Sequence, residues 1–141
     1  MTSASPARRL LSGGGPWEER YGYSRAVRTG DRILVSGCTS VVDGVVTCPG
    51  DAAGQMRVAL DTAVMALRAL GSGLGDAVQT RMYVVDRADT DAVGRVHGER
   101  FAQVRPAATM VLVAGLLDPL MLVEVELEAR VGTARRAGGA E

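Results

Sequence analysis

The spacing of apolar side chains along the chain predicts six β-strands. The clearest case is residues 121–131, where valine, leucine and alanine alternate with three glutamates and an arginine. Such alternation places the apolar side chains on one face of a sheet and the charged side chains on the other. The predicted strands are residues 24–28, 32–38, 41–47, 78–85, 107–114 and 121–131. The dipeptide Asp43-Gly44 is a hairpin signal inside the third of them.

Two strands differ in how their faces are composed. Strand 78–85 carries Gln79, Arg81 and Tyr83 on one face, and its apolar face begins at Val78. Strand 107–114 is apolar on both faces, so we expect both faces to be covered.

The period of the apolar positions changes to three and four residues in two segments, which predicts two helices. The first begins near Asp51, a good N-terminal residue, and ends near Gly71. The second covers residues 90–104 and is ended by Pro106. The order ββ(β)αβαββ predicts an α+β fold with a mixed sheet and two helices on one face. Because the other face also has apolar residues, we expect it to be buried against another subunit.

Length and charge limit the class of protein. The 141 residues fit one domain, which we place at residues 16–132 between a flexible N-terminal segment (1–15) and a flexible C-terminal tail (133–141). Sixteen basic and sixteen acidic side chains cancel, which argues against nucleic acid as a partner. Since the sequence has no membrane-spanning apolar run and no signal peptide, we expect a cytoplasmic protein with no membrane partner.

The sequence offers no pattern of metal ligands. Cys38 and Cys48 are the only cysteines and His97 is the only histidine, and their spacing matches no metal site. We expect two reduced cysteines, because disulfides are rare in the cytosol.

Several segments together resemble the Rid family (RidA/YjgF/YER057c/UK114). The segments that carry the resemblance are YGYSRAV (21–27), GDRILVSGC (30–38), ALRALGSGLGDAVQTRMYVVD (66–86), VGRVHGERF (93–101), RPAAT (105–109) and LVEVELEA (122–129). The resemblance implies a chorismate-mutase-like (YjgF/L-PSP) fold and a homotrimer with a small-molecule substrate in each cleft between subunits. It also implies hydrolysis of 2-imino acids or of 2-aminoacrylate to 2-keto acids and ammonia, without a cofactor. Other members of the family are assigned to RNA cleavage, aminomuconate deamination or natural-product pathways.

One position departs from the deaminating members of the family. They carry Pro-Ala-Arg-Ser where this chain has Pro106-Ala107-Ala108-Thr109, and their arginine binds the substrate carboxylate through two parallel hydrogen bonds. Ala108 cannot do so, which identifies the chain with an arginine-lacking branch and argues against ordinary 2-imino-acid deamination.

Two arginines are candidates to replace the missing guanidinium. Arg81 lies mid-strand, where it either binds substrate or pairs with the glutamates of the last strand. Arg105 precedes the proline, where it either replaces the arginine or is an exposed cation at a helix end. Gly94 replaces an asparagine that is frequent in the family, which is a second departure in the pocket.

Glu124 and Tyr23 are the candidate catalytic residues. Glu124 matches the family glutamate that holds or activates the hydrolytic water, or else it is one of three glutamates on a wet strand face. Tyr23 matches a family tyrosine that lines the cleft, or else it packs at the interface.

The remaining candidates are substrate-binding residues, each with a structural alternative. Ser36 and Gly37 match the Ser-Gly of the family cleft, although a β-bulge also explains Gly37. Cys38 is either a ligand contact or a small buried residue, and the Thr109 hydroxyl bonds either a ligand or the backbone. Trp17 either caps the neighbouring cleft or anchors local packing. We treat His97 as a packing or surface residue rather than a catalytic one.

These observations support two functions of different classes. The preferred one is an enzyme that acts on an imine, an enamine or a similar reactive metabolite by hydrolytic deamination, tautomerisation or cyclisation. The alternative is a non-catalytic ligand-binding or interaction trimer of the same fold.

Overall fold

Six strands form one mixed sheet in the computed structural model of the protein, which describes residues 7–134. In chain order the elements are β1 (Arg8–Leu11), α1 (Pro16–Tyr21), β2 (Ala26–Thr29), β3 (Arg32–Cys38), β4 (Val41–Val42), β5 (Val45–Val46), α2 (Ala52–Ala69), β6 (Ala77–Val84), α3 (Thr90–Phe101), β7 (Ala107–Leu112) and β8 (Val123–Arg130). The strand order in the sheet is β1-β2-β3-β8-β6-β7, and β4 and β5 form a separate hairpin. Among the strand pairs of this sheet within residues 7–134, only β6–β7 is parallel.

Helices α2 and α3 cover one face of the sheet, which confirms the predicted fold class. The core between helices and sheet includes Ile33, Met56, Leu60, Leu67, Val84, Val93, Val96, Val123 and Val125. The apolar side chains of β8 all point into this core, as the alternation predicts.

The ends of α2 are fixed by two side chains. Asp51 accepts a hydrogen bond from Gly54 N (2.9 Å), which confirms it as the N-terminal residue of the helix. At the other end, Arg28 Nη1 donates to the carbonyl of Leu70 (2.6 Å). A cation at this position also complements the helix dipole.

Gln55 joins α2 to the long connection between β7 and β8. Its side chain is fully buried, donates to the carbonyl of Leu120 (2.9 Å) and accepts from Leu122 N (2.8 Å). A further contact reaches the carbonyl of Cys48 (3.3 Å). The buried amide therefore fixes the segment that leads into β8.

The N-terminal segment differs from the prediction. We expected residues 1–15 to be flexible, but Arg8–Leu11 pair with β2 as an antiparallel strand. That expectation followed from the polar, glycine-rich composition of the segment. Composition does not reveal this strand, because its pairing uses backbone groups. Residues 1–6 and the tail residues 135–141 lie outside the described residues. Of the tail, Ala134 N donates to Asp76 Oδ1 (3.0 Å).

Two details of β6 and β7 also differ. Val78 was predicted to face the core but is 37% exposed, because an irregularity in the pairing with β8 falls between Ala77 and Gln79. Strand β7, predicted to be covered on both faces, is an edge strand that is mostly exposed in the single chain. Residues 7–134 of the single chain therefore leave this strand without the expected cover.

The face of the sheet opposite the helices is open in the single chain. It exposes Leu34 (41%) and Val111 (42%) beside the charged side chains of β3, β6 and β8. Within residues 7–134, no helix has the length and apolar character needed to cross a membrane.

Candidate functional site

Glu124 lies directly over Gly37 on the open face of the sheet. A Cβ atom added at Gly37 would lie 2.5 Å from Glu124 Oε1 and 2.8 Å from its Cδ. The pairing of β3 with β8 shifts between Val35 and Cys38, so Gly37 lies in a β-bulge. Gly37 therefore makes room for the carboxylate, which gives the Ser-Gly pair a role that sequence reasoning did not identify.

The surroundings of Glu124 suit a group that exchanges protons. Its side chain is half-buried, and burial raises the pKa of the carboxyl above its ordinary value, although the nearby Arg25 lowers it and Glu126 adds to the increase. A carboxyl whose pKa is moved toward neutrality is a more effective general base than one in water.

Arg25 is a residue of the site that the sequence analysis missed. It immediately precedes β2, and its backbone is held on both sides. Arg25 N donates to the carbonyl of Leu11 (2.8 Å), and its own carbonyl accepts from Ser36 N (2.9 Å). The available signal was its place in the YGYSRAV segment, directly after Tyr23 and Ser24.

Ser36 and Cys38 are used by the fold itself. Ser36 Oγ donates to the carbonyl of Ser24 (2.7 Å), which leaves only its lone pairs for a ligand. Cys38 has no exposed surface, and burial raises the pKa of its thiol to about 11. A fully buried thiol cannot contact a ligand, so the alternative of a small core residue replaces substrate binding for Cys38.

Arg81 lines a groove on the open face, but it does not form the expected ion pairs. Arg81 lies opposite Glu126 in the register of β6 and β8. Tyr83 Oη, however, donates to Glu126 in a short hydrogen bond, and Arg32 pairs with Glu128. No carboxylate of the described residues lies within 4 Å of the Arg81 guanidinium.

The groove has a volume of about 370 Å³ and contains groups of both charges. Its lining residues are Arg32, Leu34, Val35, Ser36, Gln79, Arg81, Glu126, Leu127 and Glu128. The hydrogen bond to Glu126 also raises the pKa of Tyr83 above its ordinary value.

Ala108 and Glu124 do not share a pocket within one chain. Ala108 pairs with Thr80, which faces the helices and is fully buried, whereas Glu124 pairs with Tyr83 on the open face. Paired residues point to the same side of a sheet, so Ala108 and Glu124 lie on opposite faces and two strands apart. A site that contains both needs residues from two chains.

Thr109 and Arg105 lie on either side of this position. Thr109 is exposed and is paired with Arg81, so its hydroxyl is on the open face. Arg105 lies before β7, exposed and with a φ of 56°. Its N–H donates to the carbonyl of Phe101 (2.9 Å), which is the arrangement expected for a cation at a helix end.

Gly94, the second departure from the family, lies on α3 and faces Met110 of β7. A Cβ at Gly94 would lie 3.8 Å from Met110 Cε, which is an ordinary van der Waals contact. His97 is half-buried, hydrogen-bonded to Thr80 Oγ1 (2.8 Å) and tilted against Phe101 at 4.5 Å between ring centroids. Burial lowers the pKa of His97, which favours a neutral packing role.

Tyr23 and Trp17 belong to an exposed aromatic region near the N terminus. Trp17 is 50% exposed and lies on α1 rather than in a loop, stacked on Tyr21 at 5.6 Å between ring centroids. Tyr23 is 44% exposed and directly follows the turn at Gly22. Neither ring is packed into the core of the single chain, and the stacking of Trp17 on Tyr21 is a contact within α1.

Residues 7–134 contain no group of three or more His, Cys, Asp or Glu side chains that could hold a metal ion.

Comparison with known proteins identifies the family. Residues 17–131 match the model of the family described as Endoribonuclease L-PSP. An uncharacterised protein of Streptomyces coelicolor, SCO2049, is 42% identical over 91% of this chain and 96% of its own length. The 3-aminoacrylate deaminase RutC of Acinetobacter baylyi is 34% identical over 77% of this chain and 86% of its own length.

A solved structure agrees with these sequence matches. The crystal structure of Rv2704 from Mycobacterium tuberculosis, a member of the YjgF/YER057c/UK114 family, has a TM-score of 0.81 and 41% sequence identity. The match covers 89% of this chain and 100% of that one. On the fold, the family model and these relatives, the chain belongs to the Rid (YjgF/YER057c/UK114, Endoribonuclease L-PSP) family.

Proposed function

We propose that the chain forms a cytoplasmic homotrimer that hydrolyses a small imine or enamine in the clefts between its subunits. The observation that carries the proposal is the half-buried Glu124 carboxyl over Gly37, whose pKa is raised by burial. The deaminase RutC, 34% identical to this chain, supports the reaction class.

The reaction needs one proton-handling group and one water molecule. Glu124 accepts a proton from water as the water oxygen bonds to the imine carbon, and it returns this proton to the imine nitrogen, which gives a carbinolamine. Glu124 then moves the hydroxyl proton of the carbinolamine to the nitrogen, so that the carbon–nitrogen bond breaks as the carbonyl forms and ammonia leaves. An enamine first takes a proton on carbon and loses one from nitrogen, which gives the imine. One carboxyl can serve all these transfers because it ends the cycle in its starting state.

The assembly brings together residues that one chain keeps apart. Because Ala108 and Glu124 lie on opposite faces of the sheet, the cleft combines the β7 edge of one subunit with the open face of another. Tyr23, Ser36, Thr109, Gly37 and Trp17 orient the substrate or enclose it there. Tautomerisation and cyclisation use the same proton transfers and belong to the same proposal.

A second candidate is a ligand-binding trimer without catalysis. Ala108 and Gly94 favour it, because two side chains frequent in deaminating members are absent. The two candidates differ in turnover and not in binding.

The test is ammonia release from 2-aminoacrylate generated in the assay by a serine dehydratase. We expect the wild-type chain to accelerate this release without a guanidinium at position 108. We expect Ala108→Arg to raise the rate at least about tenfold, the effect of one added charge-assisted contact. Glu124→Gln should lower turnover about a hundredfold. The matched control is Glu99→Gln, an exposed carboxylate on α3.

Three outcomes are informative. Full turnover by Glu124→Gln contradicts the role of the carboxylate. No acceleration by either the wild type or Ala108→Arg, with 2-aminoacrylate and with 3-aminoacrylate, contradicts the enzymatic proposal. Tight ligand binding without turnover then favours the second candidate.

A further inference from the structure

Arg25 is a guanidinium beside Glu124 that the fold holds in place. Its backbone bonds to β1 on one side and to β3 on the other. Ala26, the next residue, is fully buried toward the helices, so alternation places the Arg25 side chain on the open face. Arg25 is therefore on the same face as Glu124.

The stem of the Arg25 side chain is covered by the loop between β1 and α1. A Cβ atom at Gly13 would lie 3.4 Å from Arg25 Cβ and 3.5 Å from its Cδ. The loop is itself fixed, because Gly13 N donates to both carboxylate oxygens of Glu18 (3.0 and 2.9 Å). The guanidinium thus has less freedom than one on an exposed strand, which lowers the entropy lost when it binds a ligand.

The guanidinium has no anionic partner among the described residues. Its Nε atom is buried without a hydrogen-bond acceptor, and no carboxylate in residues 7–134 lies within 4 Å of its nitrogens. A buried donor without an acceptor costs free energy, and in native structures it calls for a specific explanation.

The charge of Arg25 affects the pKa of Glu124, whereas the charge of Arg81 affects the pKa of Tyr83. Arg25 lowers the pKa of Glu124, against the larger opposite effect of burial. Arg81 lowers the pKa of Tyr83, but the hydrogen bond from Tyr83 to Glu126 raises that pKa by more. Arg105 is at a helix end before β7. Of the three arginines, Arg25 is the one placed beside the candidate base.

We propose that Arg25 binds the carboxylate of the substrate and supplies the contact that Ala108 cannot make. The proposal rests on the proposed function and specifies its substrate class, namely small planar molecules that carry a carboxylate. A guanidinium meets a carboxylate through two parallel hydrogen bonds. A substrate held in this way presents its carbon skeleton to Glu124 of the same chain.

The test measures binding and does not depend on turnover. The probes are 2-oxobutanoate and its carboxylate-free analogue butanone, observed by saturation-transfer NMR and calorimetry on the full chain. We expect the wild type to bind 2-oxobutanoate at least about tenfold more tightly than butanone. Arg25→Gln should remove that preference, and Arg25→Lys should keep part of it because it retains the charge without the fork. The matched control Arg87→Gln, an exposed arginine before α3, should bind like the wild type.

A measurement on the wild type guards against a misfolded variant. The Arg25 Nε–Hε signal, assigned in the ¹⁵N spectrum, should shift when 2-oxobutanoate is added and should not shift with butanone. The proposal is overturned if that signal is unaffected by 2-oxobutanoate, if the wild type does not prefer the carboxylate, or if a folded Arg25→Gln keeps the preference. An effect of Arg25→Gln on the pH profile of turnover alone would mean that Arg25 positions the charge of Glu124, which also overturns it.

The two proposals fail separately. A shift of the Arg25 signal without ammonia release supports the binding role and contradicts the enzyme. Ammonia release without a shift of the Arg25 signal supports the enzyme and contradicts the binding role of Arg25.

Discussion

Burial of the ionised Glu124 carboxyl destabilises the folded chain. The carboxyl is half-buried near Glu126, and burial raises its pKa in the folded chain. A group whose folded pKa is raised contributes stability at acidic pH, where it is protonated in both states. The contribution is lost as the pH rises through the folded pKa, because the folded state must then bury a charge.

A neutral side chain at this position should therefore stabilise the protein in a pH-dependent way. We expect Glu124→Gln to have a higher melting temperature than the wild type at neutral pH, and the two to converge as the pH falls below the ordinary pKa of a glutamate carboxyl. Thermal unfolding across this range measures the effect. Glu99→Gln provides the control, since its carboxylate is exposed. A gain that grows toward acidic pH would contradict the assignment.

The sequence predicts single residues unevenly. The family pattern indicated Glu124 and Gly37, but it did not indicate that Glu124 lies over Gly37. That contact depends on the bulge in β3, which arises from the register between β3 and β8. Arg25 was missed because an arginine near a strand carries no signal of burial. For Cys38 the sequence left a ligand contact and a small buried residue as alternatives, and its full burial favours the second.

Among the elements, the connection between β7 and β8 depends most on one side chain. Gln55 satisfies the carbonyl of Leu120 and the N–H of Leu122 from inside the core. We expect Gln55→Leu to lower the free energy of unfolding by about 2–4 kcal/mol, since two buried backbone groups lose their partners. Urea unfolding measures the loss.

The control for this prediction is Gln103→Leu. Gln103 is exposed just after α3, so its replacement should change stability by less than about 0.5 kcal/mol. A loss for Gln55→Leu no larger than that for Gln103→Leu would contradict the role of the buried amide.

The periodicity predicted the long elements well and the short ones poorly. It placed α2, α3 and β8 within a few residues, because each has many apolar positions at one spacing. It could not indicate β1 or α1, which have no buried face of their own. It also placed Val78 on the wrong face, since an irregularity in strand pairing does not change the amino-acid pattern.

On the scale of the whole molecule, the open face of the sheet is the main apolar surface that the described part of the single chain leaves uncovered. Leu34 and Val111 are exposed there beside charged side chains, and the sequence had indicated that this face needs a partner. Ala108 and Glu124 face opposite sides of the sheet, so a site that contains both would need a second chain, which the trimer that we propose would supply.

A charge introduced on the open face should therefore weaken the assembly. Leu34 is 41% exposed in the single chain, so the fold should tolerate Leu34→Lys. Burial of the added charge should cost several kcal/mol in the trimer. Sedimentation should then show smaller species than for the wild type. The control is Met65→Lys on α2, 70% exposed, and equal sedimentation of the two variants would contradict the proposed interface.

The first strand also matters to anyone who shortens this protein. The family match starts at residue 17, yet the sheet starts at Arg8. A version trimmed to the family boundary would expose the backbone groups of β2, which invites edge-to-edge aggregation. It would also remove the loop between β1 and α1 that packs on Arg25. The same truncation would therefore lower solubility and change the affinity for a ligand bound by Arg25.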